Sequence, residues 1–496
     1  MAYRSFSEFL RALETAGELR RIAAPVATEL EITALADREM KSPGGGKALL
    51  FEQPTIDGQP SRFPLAINTM GSRRRMALAL GLDDVDDLAH QMQLILKAKP
   101  PTNLRQGWDL LKQGLDLLHA RPKRVKDGPC KEVIHRFDRP SAAGASGVTL
   151  ADLPVLHCWP QDGGRFVTLP NVHTRDPDTG ERNIGMYRMQ IYDDRTTGMH
   201  WQVHKVGARH GKRYYEKGER MPVAVTLGGD PAYTFAATAP LPDGLDEILF
   251  AGFCRKKSVE LVKCETNDLE VPADVDFVLE GYVQPGEARP EGPFGDHTGF
   301  YTPVDDYPVF HLTAITHRKE AIYPATIVGI PPMEDYYMGD ASVRVFLPVF
   351  KMNFPEIVDL TLPPEGVFHN LVFVSIRKQY PYQAYKIMHG LWGMGQMMFS
   401  KYIVVVDEDC DVHNTSEVLF RLCANTDPQR DSTFVKAPCD SLDHAPSVPN
   451  IGSHIGFDAT RKLPGEGYSR VWPELVKMDP MVAAKMEALA ASLGLR

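Results

Sequence analysis

The sequence predicts a multidomain α/β protein, α+β in its overall organisation, and three observations carry that reading. At 496 residues the chain is longer than one ordinary core, which suits about two to four domains. Hydrophobic residues make up 43% and charged residues 24%, a balance that buries a sizeable core under a solvated surface. The texture also changes twice: mixed helix and strand patterns give way to short β-like runs near residue 130, and a β, α, β pattern returns after about residue 325.

The first unit, 1–120, opens on a helix. Ser5 and Glu8 form a capping-box pattern, Phe6, Phe9, Leu10 and Leu13 recur at helical spacing, and Gly17 can end the element. A second amphipathic piece follows at TELEITALADREMK (28–41), and KALLFEQP (47–54) and FPLAINT (63–69) look like strands. The composition breaks at KAKPPTN (97–103), after which a helix-like stretch with Leu110, Leu111, Leu115 and Leu118 leads to the connector RPKRVKDGP (121–129). The second unit, 121–322, contains RFVTLPNVHT, NIGMYRMQIYDD, MPVAVTLGGD, ELVKCETNDLEVP, DFVLEGYV and PVFHLTAITHR, spaced as in an antiparallel barrel or sandwich. One helix, DGLDEILFAGFCRKK (243–257), interrupts it. In the third unit, 323–496, VFHNLVFVSIRK (367–378) alternates like a strand, YQAYKIMHGLWGMGQMMFSK (382–401) has helical spacing, and KYIVVVDEDCD (401–411) reads as a buried strand. Strand, crossover helix, strand is the parallel unit. Met388, Met394, Met397 and Met398 on that helix read as core or subunit interface.

The formal charge of −9 argues against a nucleic-acid binder, and the basic stretches RRRM (73–76) and RPKRV (121–125) read as solvated faces. Seven scattered cysteines with no CxxC pair point to a reducing compartment without a disulfide framework. The N-terminus lacks the apolar stretch of a signal peptide and no run of about eighteen apolar residues occurs, so a cytoplasmic protein is expected.

Residues 291–300 read EGPFGDHTGF. Pro293 lacks a donor and two glycines weaken any helical turn, so the segment is a tight loop that can aim Glu291 and Asp296 at one point. His297, Thr298, Phe300 and Tyr301 follow directly, and acid, imidazole, hydroxyl and aromatic wall together resemble a pocket rim. In RNIGMYRMQ (182–190), Asn183 and Arg188 face opposite ways on a strand unless Gly185 marks a bulge. MHWQVHK (199–205) presents His200, His204 and Lys205 around Trp201; histidines at i and i+4 suit a metal on a helix, but the partner acid motif is absent. Glu247 lies on a helix whose Leu245, Ile248 and Leu249 look core-facing, and by itself it reads as a solvated glutamate. The chain has no Walker loop, no GxGxxG and no GxSxG.

Taken together and in this order, GELRRIAAPVATELEIT, LHCWPQDGG (156–164), RNIGMYR, MHWQVHK, TAPLPDGLDE (238–247), VKCETNDLEVPA (262–273), EGPFGDHTGFY and FPEIVDLTLPPEG (354–366) resemble the UbiD family of reversible decarboxylases that use prenylated FMN. The pairing of EGPFGDHTGFY with NDLEVPA is the specific part. The resemblance implies an N-terminal α/β domain, a central split β-barrel cofactor domain and a C-terminal α/β oligomerisation domain. It implies that Asn183, His204 and Glu247 bind a divalent metal, typically Mn2+, which bridges to the flavin phosphate, with K+ nearby. Met186, Tyr187, Arg188, His200, Trp201, Gln202, Lys205 and Val206 would contact the prenylated flavin, and Arg188, Glu291 and Asp296 would form the catalytic network. His200 and Val206 stand where some relatives carry arginine and glycine.

That chemistry is coherent. Loss of CO2 from an aromatic ring leaves electron density that no side chain can accept, so a cofactor must carry it. Arg188 would hold the departing carboxylate by paired charged hydrogen bonds, and a carboxylic acid would return a proton to the same carbon. Burial and mutual proximity would raise the pKa values of Glu291 and Asp296, with Asp296 the expected donor. The resemblance makes 4-hydroxy-3-polyprenylbenzoate of the ubiquinone route the leading substrate. A dihydroxynaphthoate of the menaquinone route and a small phenolic acid such as hydroxybenzoate or vanillate rank behind it. A polyprenyl substrate would imply an apolar channel or a rim contacting a membrane surface. Two rival readings, a non-catalytic flavin-binding protein and an FMN reductase, leave Arg188, Glu291 and Asp296 without a joint role. A homo-oligomer, dimer or hexamer, and a flavin prenyltransferase that supplies the cofactor are also implied.

Overall fold

The computed structural model describes residues 2–96, 120–138, 147–202, 205–241 and 244–495. The leucine-rich stretch at 110–118 and His204 lie outside them.

The first helix, Phe6–Thr15, buries Phe6, Phe9, Leu10 and Leu13. Ser5 Oγ accepts from the Glu8 amide at 3.0 Å, while the Glu8 carboxylate accepts from the Arg4 amide at 2.6 Å, one residue upstream of the reciprocal capping-box bond. The helix Glu31–Met40 follows, and the adjacent four-stranded sheet runs Leu19–Ile22, Ala48–Phe51, Leu65–Ile67, Tyr323–Ala325. Its last strand arrives from far along the chain and pairs parallel to Leu65–Ile67, so residue 323 falls within the first sheet. Glu334, fully buried, accepts from the amides of Asn68 and Met70 and from the Thr326 hydroxyl, which ties the helix Glu334–Asn353 to that sheet.

The central sheet has seven strands. Its path runs Arg182–Met186, Asn171–Arg175, Met221–Leu227, Phe277–Glu291, Asp305–His317, Thr196–Gly198, with Val133–Arg136 also paired to Asp305–His317. Every pairing is antiparallel, in keeping with the short, turn-separated runs of the sequence. ELVKCETNDLEVP departs from the expectation of a strand in this sheet. It folds as a hairpin, Glu260–Lys263 with Glu270–Pro272, in a small sheet with Lys123–Val125. The Glu280 carboxylate accepts from the amides of Glu265 and Thr266 at 2.8 and 2.7 Å, fixing the hairpin turn against the main sheet.

The C-terminal sheet runs Ile357–Thr361, Leu371–Ile376, Tyr402–Asp407, Ile451–Asp458, Ser432–Pro438, with the three inner strands parallel. The expected strand, helix, strand unit is present, but the helix stops at Trp392 and only a short 3-10 turn, Gly395–Phe399, continues it. Gly395, at φ +49°, supplies the break. Met388 and Met397 are buried, as expected of core methionines. No helix among the described residues is long and apolar enough to cross a membrane.

Candidate active site

The acidic loop is a small hairpin set between two long strands. Phe277–Glu291 ends on Glu291, which is registered against Asp305 at the start of the return strand. Between them Phe294–Gly295 pairs with Tyr301–Thr302, and the Gly299 amide closes the turn onto the Asp296 carbonyl at 2.9 Å. The LHCWPQDGG segment clamps this hairpin from outside. Asp162 accepts from the amides of Gly295 and Trp159 at 2.7 and 2.9 Å, and the Gly163 amide donates to the Pro293 carbonyl at 2.7 Å. The Gln190 amide group donates to the Gly163 carbonyl at 2.6 Å and accepts from the Gly292 amide at 2.7 Å. A Cβ on Gly163 would lie 2.1 Å from the Gly292 oxygen and one on Gly295 would lie 2.3 Å from Trp159 Cδ1, so both approaches require glycine.

Arg188 reaches the hairpin because its strand ends before it. Gly185 marks no bulge: it sits in regular register opposite Val172, and the strand stops at Met186. The next pairing, Met189–Gln190 with Phe166–Val167, belongs to another ladder, so the two-residue alternation does not carry through Arg188. Its Nε donates to Glu291 Oε1 at 3.0 Å, its Nη2 to Thr302 Oγ1 at 3.1 Å and its Nη1 to Asp296 Oδ2. The guanidinium lies 4.4 Å above the Phe294 ring. On the other side of each acid stands a histidine. His200 Nδ1 lies 2.6 Å from Glu291 Oε2 with its ring 4.2 Å from that of Tyr307, and Asp296 Oδ1 accepts from the amide and Nδ1 of His297 at 2.7 and 2.8 Å.

This arrangement overturns the expectation that the two acids raise each other's pKa, because Arg188 stands between them. Burial pushes Glu291 up, but the His200 hydrogen bond and the Arg188 charge outweigh it and hold the carboxyl below its ordinary value. Burial likewise pushes Asp296 up, and the bond to His297 with the charges of His297 and Arg188 brings it well below the carboxylate range. His297 responds in the opposite sense: burial disfavours its cation, but Asp296 holds the proton on it and raises its pKa. Asp296 is therefore a carboxylate here, held so first by His297 and then by Arg188.

The residues expected to hold a metal and a flavin lie along the same strand and the turns beside it. Asn183 is buried opposite Thr174, and Glu247 Oε2 accepts from the neighbouring Ile184 amide at 3.1 Å, which brings the two expected ligands to one strand; His204 lies outside the described residues. Glu247 is not the solvated glutamate of its helix, Glu247–Arg255. It faces the sheet, and burial pushes its carboxyl up to about 7. Leu245 and Leu249, expected in the core, are exposed, while Ile248, Phe250 and Ala251 face inward. Tyr187 and Trp201 are buried and flank Gly207, where a Cβ would lie 3.2 Å from Tyr187 Cε2 and 3.0 Å from Trp201 Nε1. MHWQ is not helical; the helix begins at Val206, with Gln202 and Lys205 in the turn before it, where the Lys205 amide donates to the Gln202 carbonyl at 3.0 Å. Met186 packs half-buried against the core, and burial pushes the Lys205 ammonium down. Asn183 Nδ2, His200 Nε2 and Trp201 Nε1 are all buried without a hydrogen-bond partner among the described residues, which suits a polar ligand threaded past this strand.

The sequence reading missed the groups that brace the site. Asp162, Gln190, Thr302 and Tyr307 carry no local signature beyond ordinary turn and strand residues. Only the DGG of LHCWPQDGG marks a close backbone approach.

Family models match the chain in three segments. They are the N-terminal domain of 3-octaprenyl-4-hydroxybenzoate carboxy-lyase over residues 10–95, its Rift-related domain over 123–331 and its C-terminal domain over 336–459. An uncharacterized protein of Archaeoglobus fulgidus is 47% identical over 493 residues, covering 99% of this chain and 98% of its own. Among solved structures, the closed form of Sedimentibacter hydroxybenzoicus vanillic acid decarboxylase superposes with a TM-score of 0.84 at 26% identity, over 99% of each chain. An evolved dimeric form of the UbiD-class enzyme HmfF from Pelotomaculum thermopropionicum, in complex with prFMN, superposes with a TM-score of 0.76 at 26% identity, over 97% of this chain and 100% of the other. With all three domain models matched in order along most of its length, the chain belongs to the UbiD family of carboxy-lyases.

Proposed function

We propose that this protein catalyses the reversible, non-oxidative decarboxylation of an aromatic carboxylic acid with prenylated FMN, and that 4-hydroxy-3-polyprenylbenzoate is its leading substrate. One observation carries the reading: a half-buried arginine, Arg188, is shared between two buried carboxylates, Glu291 and Asp296, on a hairpin that Asp162 and Gln190 hold rigid. Met186, Tyr187, Arg188, His200, Trp201, Gln202, Lys205 and Val206 would hold the flavin. Asn183, His204 and Glu247 would hold Mn2+ at its phosphate, with K+ alongside. When bound, the prenylated flavin supplies the electron sink that no side chain offers.

The chain's own residues supply orientation and the proton. Glu291 and Thr302 fix two edges of the Arg188 guanidinium, which leaves the Nη1 edge, bonded to Asp296, as the one an incoming carboxylate can take over. Asp296, released from that cation while still buried, then rises in pKa, the condition for carrying a proton to the ring carbon. His200 keeps Glu291 charged, so the clamp on Arg188 persists through the exchange.

A small phenolic acid is the second reading, supported by the TM-score of 0.84 to a vanillic acid decarboxylase across the whole chain. Oligomerisation through the C-terminal unit belongs to the same proposal, supported by the helix Pro480–Leu493, none of whose residues is buried. The test is CO2 release and 13C-bicarbonate exchange on a panel of prenylated and unprenylated aromatic acids, using protein co-produced with a flavin prenyltransferase and Mn2+. Activity that collapses in Asp296→Asn supports the reading and ranks the substrates. Silence on every acid, with prenylated flavin shown bound by mass spectrometry, would favour a binding role instead.

A further inference from the structure

Asp296 is linked through His297 to a second histidine that comes from the C-terminal unit. His297 Nε2 lies 3.0 Å from His369 Nε2, while its Nδ1 faces Asp296 Oδ1 at 2.8 Å. Two imidazole nitrogens at that separation share one proton, so one ring donates and the other accepts. His369 sits just before the strand Leu371–Ile376, in a turn where Val367 and Phe368 both take positive φ and the Asn370 amide donates to the Gly366 carbonyl at 2.8 Å. The Phe368 ring stands 5.5 Å from His297, and Phe300 at the hairpin tip packs 4.1 Å from His444, so the C-terminal unit covers this side of the loop.

The other nitrogen of His369, Nδ1, is buried and has no hydrogen-bond partner among the described residues. A buried polar atom left unpaired is destabilising, so fold stability alone does not account for an imidazole here. The one polar contact this ring makes among the described residues is with His297. We propose that His297 is the proton store for Asp296 and that His369 is the positioning residue that holds it, by accepting the Nε2 proton and keeping Nδ1–H on the carboxylate. The proposal rests on the decarboxylase reading above.

The step balances. The bond from the ring carbon to the carboxylate breaks, CO2 leaves, and the bonding pair, stabilised by the electron sink until protonation, forms the new C–H bond. The Asp296 O–H proton goes to that carbon, having come from His297 Nδ1 once Arg188 is occupied by substrate, and His297 recovers one proton from water when product leaves. Electrostatics favour the proton on His297, which faces Asp296, Asp335 and Asp440. His369 faces His297, Asp440, Asp443 and Lys401; burial and the His297 charge push it down, leaving it the neutral acceptor.

Two variants separate positioning from packing: His369→Phe removes the acceptor, and His369→Gln retains one. In cofactor-free protein carrying 15N-labelled histidine, the His297 titration should fall by about one pH unit in His369→Phe and stay near the parental value in His369→Gln. In the loaded enzyme, His369→Phe should lower kcat about 10- to 100-fold with KM unchanged and move the alkaline limb of the pH profile to lower pH, while His369→Gln restores most of the rate. An unmoved His297 titration in His369→Phe overturns the proposal whether or not CO2 is released. Equal damage in both variants also overturns it, since packing alone would then explain the loss. A shifted titration in a parent that releases CO2 from no acid supports the pair and counts against the decarboxylase reading.

Discussion

Replacing Arg188 by methionine removes the cation from between two buried acids while keeping an unbranched side chain of similar reach. The side chains involved are 10%, 0% and 6% exposed for Arg188, Glu291 and Asp296, so solvent screens them little. At the 3.0 Å separation of Arg188 Nε and Glu291 Oε1, with an effective dielectric of about 20, the Coulomb attraction is about 5–6 kcal/mol. Breaking such a pair from one side costs about 3–5 kcal/mol, because the remaining charges stay buried and uncompensated. The loss should depend on pH. In the parent both carboxyls are held below their ordinary values, so their contribution is present above the unfolded value of about 4 and disappears as pH falls through the folded value. In the variant, burial and mutual repulsion push them up, so they take up protons and part of the loss is recovered as pH falls. Thermal melting of cofactor-free parent and Arg188→Met at pH 8 and pH 5 should therefore show a wide gap at pH 8 that narrows at pH 5. An equal gap at both pH values, or none, would refute the reasoning.

Asp162→Asn keeps an acceptor for one of the two amides the carboxylate now serves and weakens the hold on Gly295; activity should fall about 10-fold or more while circular dichroism is unchanged, and parental activity would count against the clamp. Gly163→Ala places a methyl group 2.1 Å from the Gly292 oxygen, so the hairpin must shift and decarboxylation should be lost. Gly393→Ala, where the nearest atom lies at 3.5 Å, is the tolerated control, and equal effects would remove the argument from close approach. Lys378→Met removes the cation from Glu466 and one of two from Asp458, which keeps Lys462 at 3.3 Å; these side chains are 3% and 2% exposed in the C-terminal unit, and the change should cost about 3–5 kcal/mol. Limited proteolysis should then cut the C-terminal unit first, and unchanged digestion would contradict that cost.

Local patterns in the sequence determined the elements whose partners lie close in the chain. The capped first helix, the strand, helix, strand unit after residue 370 and the stiff EGPFGD loop follow from spacing, caps and backbone chemistry, which act over a few residues. The order of whole motifs also carried the family, since a family's domain organisation is written along the chain. Tertiary structure alone decided what depends on where the chain goes between motifs. Arg188 serves both acids because its strand ends at Met186 and the next pairing belongs to another ladder, a break that no periodicity reveals. Glu247 faces the sheet and not solvent because its helix presents Ile248 and Phe250 to the core and carries the glutamate with them. The depressed pKa values of Glu291 and Asp296 reverse a reading built on proximity of like charges, since charge at a distance of a few ångströms is set by three-dimensional neighbours. The pairing of His297 with His369, 72 residues away in sequence, is the furthest from local reach, because only the docking of the C-terminal unit on the hairpin brings the two rings together.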